Sequence, residues 1–207
     1  MNNFSYFIKG KAMFGSFPSQ DDVYMLETEF KTRVFVDVTQ NGEQRTVPYK
    51  TAYKYISYPI SDNGIPDDPV TFARFIVLLT DIITNIHTNE TIYIHCKGGH
   101  GRAGLVVASL LCNVCNLHPE SALEYTNTYH NDRLVMRDKW RRIGSPQTYA
   151  QKQFVRRFFS STFFYINGKS IRTAGFSNHA RIPVRTSIGN FPTAEAAVQA
   201  LKNPDDK

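Results

Sequence analysis

Residues Thr91-Ile92-Tyr93-Ile94-His95 run without a spacer into Cys96-Lys97-Gly98-Gly99-His100-Gly101-Arg102, and that loop runs into an apolar stretch over 103–116. β-branched and aromatic residues in a short run read as a strand, and a long apolar segment after a glycine-rich turn reads as a buried helix. The same alternation recurs along the chain. Residues 34–38 read as a buried strand and 53–58 as a second, while Ser19-Gln20-Asp21-Asp22 reads as a helix start. Over 70–87, Phe72, Phe75, Ile76, Leu79, Ile82, Ile83 and Ile86 recur at helical spacing. Pro119 opens a helix reaching about His130, and Ser145-Pro146 marks a stop and restart before a last helix over roughly 147–164. Alternation of this kind predicts an α/β fold, a central and mostly parallel sheet flanked by helices. The stretches 41–50 and 59–69 read as polar or turn-rich connections.

The loop after 91–95 also carries chemistry. Three glycines within seven residues let successive backbone N–H groups turn inward, and the next helix adds its positive N-terminal end. The result is an anion cradle of phosphate size. A thiol at its base, Cys96, is stabilised as thiolate by the same donors. Arg102 offers a planar fork to two phosphate oxygens. Lys97 and His100 stand in the cradle, either adding positive charge at its mouth or as solvated loop residues. His95 is placed to pack beneath the loop and tune the thiolate. Expelling an alkoxide or phenoxide needs a proton, which calls for a carboxylic acid on a mobile loop.

Composition narrows the setting. The formal charge of +6, with basic clusters at 137–142 and 152–157, suits anionic partners or a solvated basic face. Three cysteines argue against a disulfide framework and fit a reducing compartment. Cys112 and Cys115 form a C-x-x-C inside an apolar run, where core packing is expected over metal or redox chemistry. Residues 1–10 show no basic region leading into an apolar stretch, and no apolar run is long enough to span a bilayer. A soluble, intracellular, cytoplasmic protein is expected, with no metal or cofactor and no stable nucleic-acid binding.

His-Cys, five residues and Arg before a helix resembles the signature loop of the protein tyrosine phosphatase superfamily. Tyr58-Pro59-Ile60-Ser61-Asp62-Asn63-Gly64-Ile65-Pro66-Asp67 resembles the general-acid loop of its small dual-specificity members, in which a proline precedes the catalytic aspartate by three positions. Phe14-Gly15-Ser16-Phe17-Pro18 is similar to the segment that opens their domain. Gly144-Ser145-Pro146-Gln147-Thr148, with Gln151, Phe154 and Val155, is similar to the start of their last helix. The resemblance covers about 10–165 and implies Cys96 as nucleophile, Arg102 as phosphate clamp and Asp62 as general acid. Phosphate would lie on Lys97, Gly98, Gly99, His100, Gly101 and Arg102, with His95 and Gln151 in support. Asp67 and Asp68 are rival acids, better suited to turn or cap roles.

One departure stands out. Most members carry Ser or Thr directly after the arginine, where a hydroxyl helps the cysteine leave; here the residue is Ala103, as in the regenerating-liver phosphatases. The resemblance therefore implies a slow phosphocysteine step. The expected activity is hydrolysis of phosphoprotein monoesters of the tyrosine or dual-specificity kind. A phosphoinositide or RNA 5′-phosphatase, or a weakly catalytic phosphate-binding protein, are the alternatives. The domain is expected to span 1–165. Within 166–207, Gly175-Phe176-Ser177-Asn178, Phe191-Pro192-Thr193-Ala194-Glu195 and Gln199-Ala200-Leu201-Lys202 resemble the opening of a NADAR domain. That stretch is too short to bury such a domain's core, and no glycosidase activity is expected.

Overall fold

The computed structural model describes residues 3–161, together with the backbone of 184–186 and 189–191. A five-stranded sheet forms the centre: β1 (Phe4–Ile8), β2 (Ala12–Gly15), β3 (Thr32–Asp37), β4 (Lys54–Ser57) and β5 (Thr91–His95), in the order β1-β2-β5-β3-β4. β5 lies in the middle and runs parallel to β2 and β3, and β3 runs parallel to β4. β1 alone is antiparallel, turning back onto β2. A short antiparallel hairpin pairs β6 (Val184–Thr186) with β7 (Gly189–Phe191).

Every inner residue of β5 is buried, as a strand covered on both faces must be. The helix α1 (Gln20–Thr28) covers one face, where Val23 and Leu26 pack with Phe4, Met13, Phe35 and Tyr93. Ser19 and Asp22 start that helix with a reciprocal capping box. The other face carries α2 (Pro69–Asn85), α3 (Arg102–Val114), α4 (Pro119–Asn131) and α6 (Tyr149–Ser161), with the short α5 (Asp138–Ile143) between the last two. Phe72, Phe75, Leu79, Leu105, Val106 and Leu110 are at the heart of this larger core. α3 is buried along nearly its whole length and touches α2, α4 and α6, so its start is held rigidly over the C-terminal end of β5.

The strand over 91–95 lies where its sequence places it, and α2 and α3 start and stop within two residues of expectation. The β1–β2 hairpin and α5 were not anticipated. Phe4–Ile8 shows no clean polar alternation, and six residues are too few to display a helical period. Cys112 is fully buried, and burial pushes its thiol up to about 12. Cys115 is exposed at the end of α3, so the core-packing expectation holds for Cys112 alone. Among the described residues no helix is long and apolar enough to cross a membrane. The NADAR-like motifs, including Glu195, lie outside the described side chains.

Candidate active site

β5 delivers His95 and Cys96 to the end of the sheet, and α3 begins six residues later at Arg102. Between them the chain folds round a small pocket lined by Cys96, Gly98, His100, Gly101 and Arg102 from the loop, Asp62 and Asn63 from the turn after β4, and Gln147 ahead of α6. Cys96 is 3% exposed at its base. The Gly99 N–H donates to Cys96 Sγ at 3.2 Å. Gly101 caps α3 with no side-chain bond, leaving the first-turn amides of that helix free for an anion.

Gly99 is required by geometry. Its φ is +73°, and a Cβ there would meet the Gly15 backbone at 2.4 Å. The loop thus leans directly on the end of β2. Ser145 Oγ donates to His100 O at 2.7 Å and ties the loop's far side to the segment before α6.

Arg102 is 2% exposed and fully engaged. Its Nη1 and Nη2 donate to the two Glu43 carboxylate oxygens at 2.6 and 2.8 Å. Nη1 also reaches Ile60 O at 3.1 Å, and Nη2 lies 3.1 Å from Asp62 Oδ1. The bonds from Arg102 hold the Glu43 carboxyl below its usual range. Burial is the largest effect and opposes the charge on Arg102, but the bonds to Glu43 together with the nearby Cys96 and Asp62 outweigh it and raise its pKa. Glu43 was not identified from sequence, where 41–50 reads as a polar connection. No spacing marks an acid that reaches the site from a loop between strands.

Asp62 stands at the mouth with its side chain 59% exposed, and accepts from Asn63 Nδ2 at 3.3 Å. The turn that carries it is pinned from α6 and the segment before it: Gln151 Nε2 donates to Gly64 O at 3.0 Å, and Gln147 Nε2 to Asn63 Oδ1 at 3.1 Å. Gln151 is completely buried and sits against Gly101, so one side chain braces both the acid loop and the start of α3. Asp68 accepts from Val70 N and Thr71 N as the cap of α2, and neither it nor Asp67 lines the pocket.

His95 lies beneath the loop, with its Nε2 2.7 Å from Tyr49 Oη. Burial lowers it to about 4, so it is neutral. His100 stacks on Trp140, with ring centroids 4.5 Å apart, and its Nδ1 lies 2.7 Å from His130 Nε2. Burial lowers His100 to about 4 and His130 to about 3. His100 therefore shapes the pocket but brings no charge to it. Lys97 Nζ lies 3.9 Å from Glu43 Oε1, so its charge faces a carboxylate before any ligand arrives.

A buried thiol on a glycine-rich turn, an amide cradle, a paired arginine and an acid at the mouth form one constellation, and comparison with known proteins gives it a family. A model of the "Swiss Army Knife protein, DSP-PTPase phosphatase domain" matches residues 1–155. The chain belongs to this family of the protein tyrosine phosphatase superfamily. The cysteine phosphatase is 39% identical over 201 residues to "Putative tyrosine phosphatase 197R" of Invertebrate iridescent virus 6, covering 95% of this chain and 68% of that one. It is 33% identical to "Putative tyrosine phosphatase 067L" of Invertebrate iridescent virus 3, covering 91% of this chain and 79% of the relative. Among solved structures, the fold is similar to Tk-PTP in its active form, with a TM-score of 0.61 at 17% identity, covering 77% of this chain and 98% of that one. The phosphatase is thus a hydrolase of the tyrosine and dual-specificity class.

Proposed function

We propose that this phosphatase hydrolyses phosphomonoesters of proteins, phosphotyrosine first among them, through a phosphocysteine on Cys96. The convergence of Cys96, Arg102 and Asp62 on one pocket carries this reading. The Cys96 thiolate attacks phosphorus and the P–O ester bond breaks, while Asp62 gives its proton to the departing oxygen. Water then attacks the phosphocysteine, the S–P bond breaks, and Asp62 takes the proton. Loop amides and Arg102 hold the phosphoryl oxygens throughout. A bound phosphate takes the place on the Arg102 fork where Asp62 now rests, freeing that carboxyl for the leaving group.

Two observations support a protein monoester over a polyanionic inositide. His100 is neutral, and the Lys97 charge is turned towards Glu43, so the loop offers little beyond what one phosphate needs. The viral relatives' names point to phosphotyrosine. The domain is proposed to span 1–165, with 166–207 as an extension.

The test is a rapid quench of a phosphotyrosine peptide reaction, followed by mass spectrometry of the Cys96 peptide. Expected is a transient phosphate adduct on Cys96, with phosphotyrosine peptides turned over faster than phosphoserine peptides or inositol phosphates. Turnover with no adduct, or a preference for an inositol phosphate, contradicts the proposal.

A further inference from the structure

Arg133, just past the end of α4, is the third charge behind the phosphate loop, and its surroundings are unusual. It is 2% exposed. Nη2 donates to Gly99 O at 2.9 Å and to Phe14 O at 3.4 Å, the guanidinium lies 4.4 Å from the Phe14 ring centroid, and Nε has no partner. Arg141, from α5, holds the Arg133 backbone by donating to its carbonyl at 2.7 Å. Among the described residues no carboxylate reaches Arg133. Burial lowers it to about 10, which leaves it charged at neutral pH.

A buried charge is costly unless it is paired. At the mouth, Arg102 and Lys97 already face Glu43 and Asp62, two cations against two carboxylates. His95, His100 and His130 are neutral. The Arg133 charge acts on His100 and His130, helping to keep both rings neutral, and the groups that favour its own charge are Tyr93 and Cys96. The Tyr93 phenol is buried, its pKa pushed well up, and donates its proton to Ser16 O at 2.6 Å. It stays neutral. Among the described residues, the anion left for Arg133 to face is the Cys96 thiolate, which also acts on Arg102.

We propose that Arg133 is a positioning residue that serves as counter-charge to the Cys96 thiolate and fixes Gly99, the residue whose N–H meets the sulfur. Gly99 turns its carbonyl to Arg133 and its amide to Sγ in one left-handed conformation, so guanidinium and sulfur hold the same residue at its two backbone polar groups. With Ala103 in place of a hydroxyl donor beside Arg102, this cation adds to the stabilisation that Arg102 and the Gly99 N–H give the sulfur. The inference rests on Cys96 acting as the nucleophile.

The experiment follows alkylation of Cys96 by iodoacetamide against pH, read by mass spectrometry of the Cys96 peptide, in the full chain and in two variants. Arg133→Lys keeps the charge; Arg133→Gln keeps a donor to Gly99 without it. Expected is a profile for Arg133→Lys close to that of the unaltered protein. In Arg133→Gln the midpoint moves to higher pH, so that Cys96 labels about tenfold more slowly below it. A profile unchanged in Arg133→Gln, or moved as far in Arg133→Lys, overturns the proposal.

Cys96→Ser supplies a reading that does not depend on the Arg133 variants folding. It removes the counter-charge and leaves the cation, so the unaltered protein should gain melting temperature over Cys96→Ser as pH rises through the labelling midpoint. A gap that does not change with pH overturns the pairing. Turnover of an aryl phosphate by fully alkylated protein contradicts the nucleophile assignment itself, and the labelling profiles separate that outcome from a failure of the charge pairing.

Discussion

Arg102 meets oxygen from three residues before any substrate arrives: Glu43, Ile60 and Asp62. The Glu43 pair is bidentate and largely buried, the geometry in which an ion pair fixes direction as well as charge. Glu43→Gln keeps the shape and removes the anion, leaving Arg102 free to tilt. A hydrogen bond to a charged group contributes about 1.5–3 kcal/mol, so kcat/KM for an aryl phosphate should fall by about 10- to 100-fold. Melting temperature measured alongside separates this from unfolding. Ala103 makes the opposite kind of prediction. It is fully buried at the first turn of α3, next to Arg102. Ala103→Ser should shorten the life of the phosphocysteine and shrink any burst in pre-steady-state kinetics. An unchanged steady rate with no burst in either form contradicts a slow second step.

At the scale of elements, the loop is a junction of β2, β5, α3 and the segment before α6. Gly99→Ala places a methyl group 2.4 Å from the Gly15 backbone in a left-handed conformation, so either β2 or the loop must move. Turnover should be lost with little change in far-UV circular dichroism, while phosphate binding, read by protection against thermal melting, weakens sharply. This junction also shows what sequence could reveal. The strand over 91–95, the loop and α3 are contiguous, so pattern and chemistry were both legible there. Asp62 and Gln151 were reached through resemblance, and the structure brings both to the loop. Glu43, Tyr49, His130 and Arg133 come from connections or helix ends whose contacts exist only once the sheet has formed, and no local period marks them. His100 looked like a charge in sequence; burial, to which stacking on Trp140 from the unforeseen α5 contributes, and then the Arg133 charge keep it neutral.

For the whole molecule, several of the basic side chains are engaged within the chain. Arg141 donates to two backbone carbonyls near the end of α4, and Arg156 forms a two-point bridge to Glu120 at 2.6 and 2.9 Å. A net charge of +6 is therefore a weak guide to partners. The buried His95 and His130 and the half-buried His100 set the response to acid. His95 and His100 are lowered to about 4 and His130 to about 3, from an ordinary value of 6.5. Between those limits the unfolded chain binds protons that the folded chain does not, so stability is full above about pH 6.5 and falls as pH drops towards 4. Melting temperature should decline steadily across that window. A flat profile contradicts neutral burial of these three rings.

The most direct test of the active site is release of phosphate from an aryl phosphate by the full chain, beside Cys96→Ser and Asp62→Asn. Expected is turnover that Cys96→Ser abolishes and Asp62→Asn lowers by about 10²- to 10⁴-fold, the usual contribution of a general acid. Turnover that survives Cys96→Ser, or that Asp62→Asn leaves intact, contradicts the assignment of nucleophile or acid. No turnover in the unaltered protein, with tight phosphate or vanadate binding retained, makes the cradle a phosphate-reading site instead.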